Sequence, residues 1–289
     1  MNPDRAGIVV LGQTGQLARA LRKLDPSLVA LGRGQADFAD PVSVVATVAA
    51  CRPKALINAV AYTAVDRAET EPDLAQTVNA ATPAALARWA ANAGVPFLLV
   101  STDYVFDGGG AGCWQPEDPT GPLGAYGRSK LAGEVAVRAA GGVHAILRTS
   151  WVFSAHGANF VKTMLRLGAL HAEIKVVSDQ IGGPTPAGAI AQAALTMTDR
   201  LLTDPATAGT YHFAGAPDLS WAGFARAIFA QAGLATRVVD IATRDWPTPA
   251  RRPANSRLDC SSLTATFGIA RPDWRRGLAA VLAELGAGT

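Results

Sequence analysis

A tyrosine and a lysine four residues apart are the clearest candidates for chemistry in this sequence. Tyr126 and Lys130 fall on one face of a predicted helix, because residues four apart are neighbours on a helix surface. A free phenol has a pKa of about 10, but a nearby ammonium favours its ionised form. Thr102 closes a predicted strand before that helix, and its hydroxyl can bond a reacting oxygen. We therefore predict a catalytic set of Thr102, Tyr126 and Lys130, suited to carbonyl reduction with a proton from Tyr126 and a hydride from a nicotinamide.

A glycine-rich turn lies between the first predicted strand and the first predicted helix, in the segment Gly12-Gln13-Thr14-Gly15-Gln16-Leu17-Ala18. Small residues let a backbone approach a pyrophosphate, and a helix N-terminus adds free N–H groups and the positive end of a dipole. No Gly-Lys-Ser/Thr follows, which excludes a P-loop. Any tight strand–helix turn needs glycine, so the glycines alone do not indicate a ligand. The position of the turn in the first βα unit is what favours a nucleotide-binding role. It predicts a dinucleotide site.

The residues after the second predicted strand bear on the choice of nicotinamide. An acidic residue there bonds the ribose 2′-hydroxyl of NAD, whereas an arginine accommodates the 2′-phosphate of NADP. Here Gly32 and Arg33 stand at this place, and no acid occurs before Asp37. We predict NADPH, with NADH as the alternative, since Arg33 could equally be a solvated loop residue. Asp37 and Phe38 follow in a loop that is placed to meet the adenine.

Short apolar runs alternate with helical patterns through the first half of the chain. The predicted strands lie within residues 7–12, 28–31, 55–60, 96–101 and 144–150. The predicted helices lie at 16–24, 42–50, 74–93 and 126–140. Strands without polar alternation are typical of a parallel sheet covered on both faces. The fold class predicted is α/β, a Rossmann-type doubly wound parallel sheet with a smaller interleaved C-terminal substrate domain.

The domain division is predicted from the looser pattern after Trp151. Residues 1–155 would form the dinucleotide-binding domain, with strands returning to it from about 172–180 and 209–215. Residues 156–289 would form mostly the substrate-binding domain. Helices are predicted over 220–232 and 272–285, the first capped by Ser220 and stopped by Gly233.

The composition excludes several classes of protein. With 49% hydrophobic and 17% charged residues, the chain of 289 residues is not disordered, and a net charge of +3 without a dense Lys/Arg run argues against a nucleic-acid partner. No uncharged apolar run reaches about 18 residues, so no membrane partner is expected. The N-terminus lacks the apolar core of a signal peptide, which predicts a cytoplasmic protein. Three cysteines and four histidines are scattered without the spacing of a metal site.

Seven stretches spread over the chain carry a resemblance to a known family. They are GQTGQL at 12–17, NAVAYTAVD at 58–66, STDYVFDG at 101–108, YGRSKLAGE at 126–134, RTSWVF at 148–153, GGPT at 182–185 and PARRPANSRL at 249–258. In these stretches the sequence resembles the extended, nucleotide-sugar branch of the short-chain dehydrogenase/reductase superfamily. Within that branch it looks like the dTDP-4-dehydrorhamnose reductases.

The resemblance implies roles for individual residues. The cofactor set would be Gly12, Thr14, Gly15, Gln16, Leu17, Arg33, Asp37, Phe38, Ala59, Ala61, Tyr62, Thr63, Tyr126 and Lys130. In this set Gly15, Gln16 and Leu17 would line the pyrophosphate. The substrate set would be Thr102, Asp103, Trp151, Arg251, Arg252 and Asn255, with Ser256 beside it. In this second set Trp151 would pack on the sugar, and the arginine forks suit the diphosphate, although a surface loop is the plain alternative for them.

The resemblance also implies an activity, the NAD(P)H-dependent reduction of the 4-keto group of dTDP-4-dehydro-β-L-rhamnose to dTDP-L-rhamnose. The alternatives are a reductase of another dTDP-4-keto-6-deoxyhexose, a nucleotide-sugar epimerase or dehydratase, and a non-catalytic dinucleotide-binding regulatory subunit. Some relatives are magnesium-bridged dimers that use acids on the first helix and on the helix after the Pro-Thr motif. Ala20 and Gly188 stand at those places here, so no metal is expected and a homodimer is left open.

Overall fold

The computed structural model describes residues 5–287, and its elements alternate between strands and helices. The strands are β1 Ile8–Leu11, β2 Val29–Leu31, β3 Ala55–Asn58, β4 Phe97–Thr102, β5 His144–Thr149, β6 Val152–Phe153, β7 Glu173–Val177, β8 Ile181–Gly182, β9 Thr185–Pro186, β10 Gly209–Phe213, β11 Leu219–Ser220, β12 Arg237–Ile241 and β13 Asn255–Ser256. The helices are α1 Gln16–Leu24, α2 Pro41–Ala50, α3 Pro72–Gln76, α4 Thr82–Ala93, α5 Ala125–Ala139, α6 Phe160–Gly168, α7 Ala187–Thr203, α8 Trp221–Gln231, α9 Ser261–Phe267 and α10 Trp274–Glu284.

Six strands form one parallel sheet in the order β10-β5-β4-β3-β1-β2. Successive side chains of a strand point to opposite faces; Val9 therefore joins one apolar core and Val10 the other. Because both faces are covered, the strands are apolar throughout, and β1 and β3 are buried at every position. The predicted α/β fold with a Rossmann-type parallel sheet is confirmed.

The strand order reverses at β1, which lies between β2 and β3. The chain leaves β1 outward to β2 and then crosses to β3 on the other side. In doubly wound sheets ligands bind in the crevice outside the carboxyl ends of the strands at such a switch point. The glycine turn at residues 12–18 follows β1 at this place.

The helix predicted over residues 74–93 is confirmed as a helical stretch, but it begins at Pro72 and contains a π turn at Thr77–Ala81 between α3 and α4. Asn79 lies in this turn, and its side-chain amide bonds the backbone N–H and C=O of Tyr62 at 2.8 and 3.1 Å. The stretch ends at Gly94, whose φ of 68° suits the left-handed C-cap. The π turn thus anchors the loop that follows β3.

One predicted strand belongs elsewhere. The segment 172–180 was expected to return to the first sheet, but β7 pairs in parallel with β12 in a separate two-stranded sheet. Its side chains alternate between exposed and buried, with Glu173 and Lys175 facing solvent and Ile174 and Val176 buried. A strand with a solvated face does not suit a sheet covered on both sides. The other returning strand, β10, pairs with β5 at the sheet edge.

A third apolar cluster lies beside the large sheet. Phe224, Phe229 and Trp274 pack there between α6, α8 and α10. Helix α7 packs elsewhere. Its apolar face lies beside α1 on the large sheet. Within residues 5–287, no helix is both long and apolar enough to cross a membrane.

Candidate active site

The three predicted catalytic side chains lie together at the carboxyl end of the large sheet. Thr102 is the last residue of β4, and Tyr126 and Lys130 occupy the first turns of α5. All three line one cleft of about 530 Å³. They are nearly enclosed by protein, with exposed fractions of 6% for Thr102, 9% for Tyr126 and 2% for Lys130. Proton movement in this cleft therefore depends on the protein groups that touch these three residues.

The start of α5 is fixed by close backbone contacts. Glu69 accepts the first N–H of the helix through Oε1 at 2.8 Å, and a Cβ on Gly124 would come within 2.5 Å of the same oxygen. A Cβ on Gly127 would come within 2.3 Å of the carbonyl oxygen of Tyr104. Only glycine allows this approach, so α5 lies directly against the residues that follow β4. This packing brings Tyr126 to Thr102.

Burial sets the protonation of the tyrosine and the lysine. It raises the pKa of Tyr126 to about 12, although a hydrogen bond with Thr102 acts in the opposite direction. Burial lowers the pKa of Lys130 to about 8, while the charge of Glu134 raises it. The phenol is therefore neutral and the ammonium largely charged at neutral pH. The lysine was expected to lower the pKa of Tyr126, but its Nζ donates to the carbonyl of Val100 at 2.7 Å and contributes no such shift.

A buried ion pair supports α5 one turn beyond the lysine, and the sequence analysis missed it. Arg148 on β5 donates to both carboxylate oxygens of Glu134, at 2.9 and 2.7 Å, and both side chains are at most 2% exposed. Arg148 also donates to the carbonyl of Pro116 at 3.0 Å and meets His212 Nε2 at 3.3 Å. The pair ties the catalytic helix to β5, to β10 and to the loop after residue 106. A glutamate eight residues after Tyr126, on the same helix face, was the available signal.

Asp103 follows Thr102 and is buried to 3% exposure. The Thr102 hydroxyl donates to Asp103 Oδ1 at 3.1 Å and accepts the N–H of Tyr104 at 3.2 Å. Burial raises the pKa of Asp103 to about 6, while Ser256 and Thr102 act to lower it. In the described part of the chain, no donor reaches Asp103 Oδ2 with hydrogen-bond geometry. A buried carboxylate oxygen without a partner is costly, which agrees with the raised pKa of Asp103.

A further buried hydroxyl of the cleft, that of Thr149, has no hydrogen-bond partner within residues 5–287. Thr149 on β5 is the register partner of Thr102 on β4. Buried polar atoms are nearly always paired in folded proteins. Thr149 and Asp103 thus leave two unpaired polar atoms in the wall of the cleft, both almost fully buried.

A second cavity, of about 480 Å³, continues from the catalytic cleft and shares Gly15, Ala59, Val60 and Ala61 with it. Gly15 precedes α1. The N–H groups of the first helical turn have no intrahelical partners, and no side chain caps them here. A Cβ at Gly15 would meet no atom within 4 Å. This open cradle fits the pyrophosphate of a dinucleotide. Gly12 has a φ of 112°, which only glycine adopts readily.

Most members of the predicted cofactor set line these two cavities. The members that do so are Gly12, Thr14, Gly15, Gln16, Leu17, Arg33, Phe38, Ala59, Ala61, Thr63, Tyr126 and Lys130. Asp37 and Tyr62 are not among the lining residues. The Asp37 carboxylate accepts the N–H of Ala39 at 3.0 Å, and the Tyr62 hydroxyl is bonded to Glu71. The backbone N–H and C=O of Tyr62 are both bonded to the Asn79 amide.

Trp151 lines the same cleft as Tyr126 and Lys130. Its φ of 49° lies in the left-handed region, which is unusual for a bulky residue. Its indole stacks on that of Trp221, with ring centroids 3.5 Å apart and planes inclined by 8°. On another side, a Cβ at Gly182 would lie 2.7 Å from the Trp151 ring. The ring is therefore held in place, and Trp221 is a cleft support that no pattern near residue 151 could have indicated.

The predicted diphosphate residues are not brought to the cleft lining. Arg252 is paired with both carboxylate oxygens of Asp66, at 2.8 and 2.7 Å, and Arg251 is exposed. The Asn255 amide donates to the carbonyls of Gly109 and Gly112, at 3.2 and 2.8 Å. Asn255 thus fixes the loop after STDYVFDG, because its side chain is already engaged. A direct contact of these three residues with substrate stays a prediction.

No cluster of three or more potential metal ligands occurs within the described residues 5–287. Ala20 and Gly188 both line a separate groove of about 840 Å³. These are the positions at which the resemblance implies acids in magnesium-bridged relatives. This groove lies between α1, the start of α7 and α10. The side chains present do not fit a metal ion there, and no metal enters the chemistry below.

Comparison with known proteins places this site in a family. A family model described as the RmlD substrate binding domain matches residues 6–287, nearly the whole chain. The chain belongs to this family. Among curated members, the dTDP-4-dehydrorhamnose reductase of Sinorhizobium fredii is 45% identical over 276 residues, covering 92% of this chain and 93% of that protein. The enzyme of the same name from Escherichia coli is 40% identical over 292 residues, covering 96% and 97%.

Solved structures of family members agree with the fold. The dTDP-4-dehydrorhamnose reductase of Clostridium acetobutylicum matches with a TM-score of 0.89 and 34% identity, over 96% of this chain and 99% of that one. The Bacillus anthracis enzyme, solved in complex with NADP, matches with a TM-score of 0.88 and 33% identity, over 96% and 98%. The family predicted from the seven sequence stretches is thereby confirmed.

Proposed function

We propose that this protein is an oxidoreductase that reduces the 4-keto group of dTDP-4-dehydro-β-L-rhamnose to give dTDP-L-rhamnose. The observation that carries the proposal is the cluster of Thr102, Tyr126 and Lys130 in a cleft that continues to the uncapped N-terminus of α1. The names of relatives at 40 to 45% identity support the substrate. Retention of all three side chains argues against a non-catalytic regulatory subunit, which has no need of them.

The cofactor is proposed to be NADPH, with NADH as the alternative. When bound, the nicotinamide supplies the hydride that the carbonyl carbon receives. Gly15 and the first turn of α1 would hold the pyrophosphate, because free N–H groups and open space meet there. Arg33 stands at the rim of the adjoining cavity, where a guanidinium can pair with a 2′-phosphate. The Bacillus anthracis relative in complex with NADP supports this choice.

Tyr126 is the proposed acid. Its phenol is neutral at physiological pH because burial raises its pKa to about 12, so it has a proton to give to the sugar oxygen as negative charge develops there. Thr102 shares a hydrogen bond with Tyr126 and would orient the carbonyl. The Lys130 ammonium would hold the ribose, which its position one helical turn from Tyr126 allows.

Asp103 and Trp151 are proposed to contact the sugar, and Arg251, Arg252 and Asn255 the nucleotide diphosphate. Residues 1–155, completed by later segments, would form the dinucleotide-binding domain, and residues 156–289 mostly the substrate domain.

The expected cytoplasmic location and a homodimer belong to the same proposal. Sedimentation velocity of the purified protein distinguishes a dimer from a monomer.

The test is cofactor oxidation with a defined sugar. Purified protein is added to dTDP-4-dehydro-β-L-rhamnose made in situ, and loss of reduced nicotinamide is followed with NADPH and with NADH. Oxidation with formation of dTDP-L-rhamnose is the expected result, faster with NADPH. An epimerase or dehydratase regenerates its cofactor in each cycle, so product without net NADPH oxidation contradicts the proposal. Oxidation only with a different dTDP-4-keto-6-deoxyhexose would redirect it to that sugar.

A further inference from the structure

Trp151 lines the catalytic cleft, but both faces of its ring are already covered. Trp221 stacks on one face, with ring centroids 3.5 Å apart, and rings this close leave no space between them. A Cβ built on Gly182 would lie 2.7 Å from Cε2 of Trp151, 2.9 Å from Nε1 and 3.0 Å from Cζ2. The fusion carbon Cε2 is the nearest only for an atom above the ring plane, because an atom beside the edge meets Nε1 or Cζ2 first. Gly182 therefore covers the face opposite Trp221.

The two groups that cover the ring belong to neighbouring strands of one small sheet. Strand β11 pairs antiparallel with β8, and Leu219 is the register partner of Gly182. Trp221 follows β11 directly as the first residue of α8, and the Ser220 hydroxyl caps that helix. Backbone pairing between the two strands thus sets the width of the gap that the Trp151 ring fills.

The outer partner, Trp221, is itself packed from behind. Phe160 on α6 contacts it with ring centroids 4.5 Å apart, and Phe224 lies at 6.5 Å. The backbone of Trp151 is fixed as well, since its carbonyl accepts the N–H of Thr185 at 3.1 Å. Its φ of 49° is one that a bulky residue keeps only where the surrounding structure determines it. The stack with Trp221 is part of the structure that determines it here.

A ring covered on both faces meets a ligand with its edge. Neither Gly182 nor Trp221 lines the cleft, whereas Trp151 does. The edge of an aromatic ring is the positive part of its quadrupole, and the indole edge also carries the Nε1–H donor. The N–H groups of Trp114 and Trp274 donate to backbone carbonyls, but that of Trp151 has no acceptor within residues 5–287. Such an edge suits the oxygens of a sugar, whereas the ring face, which would suit sugar C–H groups, is not available.

We propose that Trp221 is a positioning residue for sugar recognition. It holds the Trp151 indole against Gly182, so that Trp151 presents the edge of its ring and its N–H to oxygens of the sugar. This role makes or breaks no covalent bond, and its effect falls on binding of the sugar rather than on hydride transfer or on NADPH. The inference rests on the proposed reductase function, in which Trp151 contacts the sugar.

Circular dichroism detects the stack itself, because two stacked indoles give an exciton couplet. The native protein is expected to show this couplet and to keep it when dTDP-L-rhamnose saturates the site, after subtraction of the ligand spectrum. Trp221→Leu is expected to lose it. Trp89→Leu is the matched control, since it removes a half-buried indole of α4 that lines neither cavity, and the couplet should remain. A native couplet that is missing, or that disappears when dTDP-L-rhamnose binds, would overturn the proposal, because the ring face would then be free for the sugar.

Steady-state kinetics separate positioning from a purely structural role. Trp221→Leu is expected to raise KM for dTDP-4-dehydro-β-L-rhamnose by about tenfold and to leave kcat within about twofold, because the lost interaction is one of substrate binding. The dissociation constant for NADPH should not change. Trp221→Phe keeps an aromatic surface for stacking and is expected to bring KM back to within about threefold of the native value. Trp89→Leu should alter neither constant. A fall in kcat with an unchanged KM is what partial unfolding produces, and it would overturn the proposal.

A double-mutant cycle tests whether Trp221 acts through Trp151. Trp151→Leu removes the ring that Trp221 supports, so adding Trp221→Leu to it is expected to raise KM no further. Additive increases would show that Trp221 acts by another route. Gly182→Ala presses on the Trp151 ring from the opposite face and leaves Trp221 intact, so it tests the enclosure even if Trp221→Leu does not fold. It is expected to raise KM for the sugar, and an unchanged KM would count against the proposal.

Failure of the proposed function gives a different result from failure of this inference. A native protein that neither oxidises NADPH with this sugar nor binds dTDP-L-rhamnose would overturn the function, and the role of Trp221 with it. A native protein that does both, with a KM that Trp221→Leu does not change, would overturn the positioning role alone.

Discussion

Tyr126 meets its neighbours through one hydroxyl and the edge of its ring. The ring lies edge-to-face against Tyr104 at 5.5 Å, and the hydroxyl meets Thr102. The ring and the hydroxyl therefore have different partners. A substitution that removes only the hydroxyl separates them, because phenylalanine preserves the ring.

Tyr126→Phe is expected to lower kcat by at least about 10²-fold, the usual range for loss of a positioned acid, with the dissociation constant for NADPH nearly unchanged. Steady-state kinetics and NADPH fluorescence titration measure the two quantities. Tyr211→Phe is the matched control, since it removes another buried hydroxyl, one that donates to Thr207 at 2.9 Å far from the cleft. Equal losses of turnover and NADPH binding in Tyr126→Phe would refute the assigned role.

Arg33 is the residue that bears on cofactor choice. It is exposed at the rim of the cavity that follows the glycine turn. Arg33→Ala is expected to lower kcat/KM for NADPH by about tenfold or more and to leave NADH nearly unaffected, because only NADPH carries the 2′-phosphate. Arg22→Ala, at an exposed position of α1 that lines neither cavity, is the control and should change neither value. A similar loss with both cofactors would mean that Arg33 does not read the phosphate.

Helix α5 is the element on which the site depends most closely, because it carries Tyr126, Lys130 and Glu134 on one face. Two of its glycines allow it to approach other backbone. A Cβ on Gly133 would lie 2.1 Å from the carbonyl oxygen of Asn79 in the π turn. Asn79 in turn holds the backbone of Tyr62 beside the cofactor cavity. Packing at this contact therefore affects both sides of the cleft.

Gly133→Ala is expected to destabilise the protein by about 1–3 kcal/mol, since neither backbone can yield without strain. Gly188→Ala is the control: Gly188 is also helical, but its Cβ would meet nothing within 4 Å. There the smaller entropy of the unfolded chain is expected to add about 0.4–1 kcal/mol of stability. Urea unfolding of both variants measures the difference. A Gly133→Ala protein as stable as the native one would show that the helix shifts freely.

The elements of the first half were predictable because they are determined locally. Continuous apolar runs mark strands covered on both faces, and Gly94 marks a helix end. The strand β7 was misassigned because its alternation of Ile174 and Val176 with charged residues was not weighed. In the candidate site, Thr102, Tyr126 and Lys130 were predicted by type and spacing, and the structure brings them to one cleft. Trp221 was not, because its contact with Trp151 spans 70 residues of sequence and depends on tertiary packing.

The pH dependence of folding stability involves one buried histidine, His212. It lies where β10, β5 and the loop that contains Trp114 meet. His212 on β10 is 0% exposed, bonds the carbonyl of Trp114 through Nδ1 at 3.0 Å, and faces Arg148 through Nε2 at 3.3 Å. Burial and the neighbouring arginine lower its pKa from 6.5 to about 4. It is neutral when folded, whereas the unfolded chain takes up a proton below pH 6.5. Folding stability is therefore lost as pH falls from 6.5 to about 4.

His212→Gln is expected to remove this part of the acid sensitivity, because an amide can donate to Trp114 and accept from Arg148 without titrating. The native protein should lose about 3 kcal/mol more than the variant between pH 6.5 and 4, at about 1.4 kcal/mol per pH unit. Urea unfolding across this pH range measures the slopes. His171→Gln, at an exposed position, should leave the native slope unchanged. A variant that follows the native curve would disprove the assignment.

The return of β10 to the edge of the large sheet, with α7 covering its face beside α1, has a consequence for how this protein can change. A gene fragment ending near codon 155 would encode a sheet with β5 as a bare edge and part of its apolar face uncovered. Recombination at that boundary cannot transplant a working nucleotide-binding module, since the last strand is encoded about 50 codons downstream.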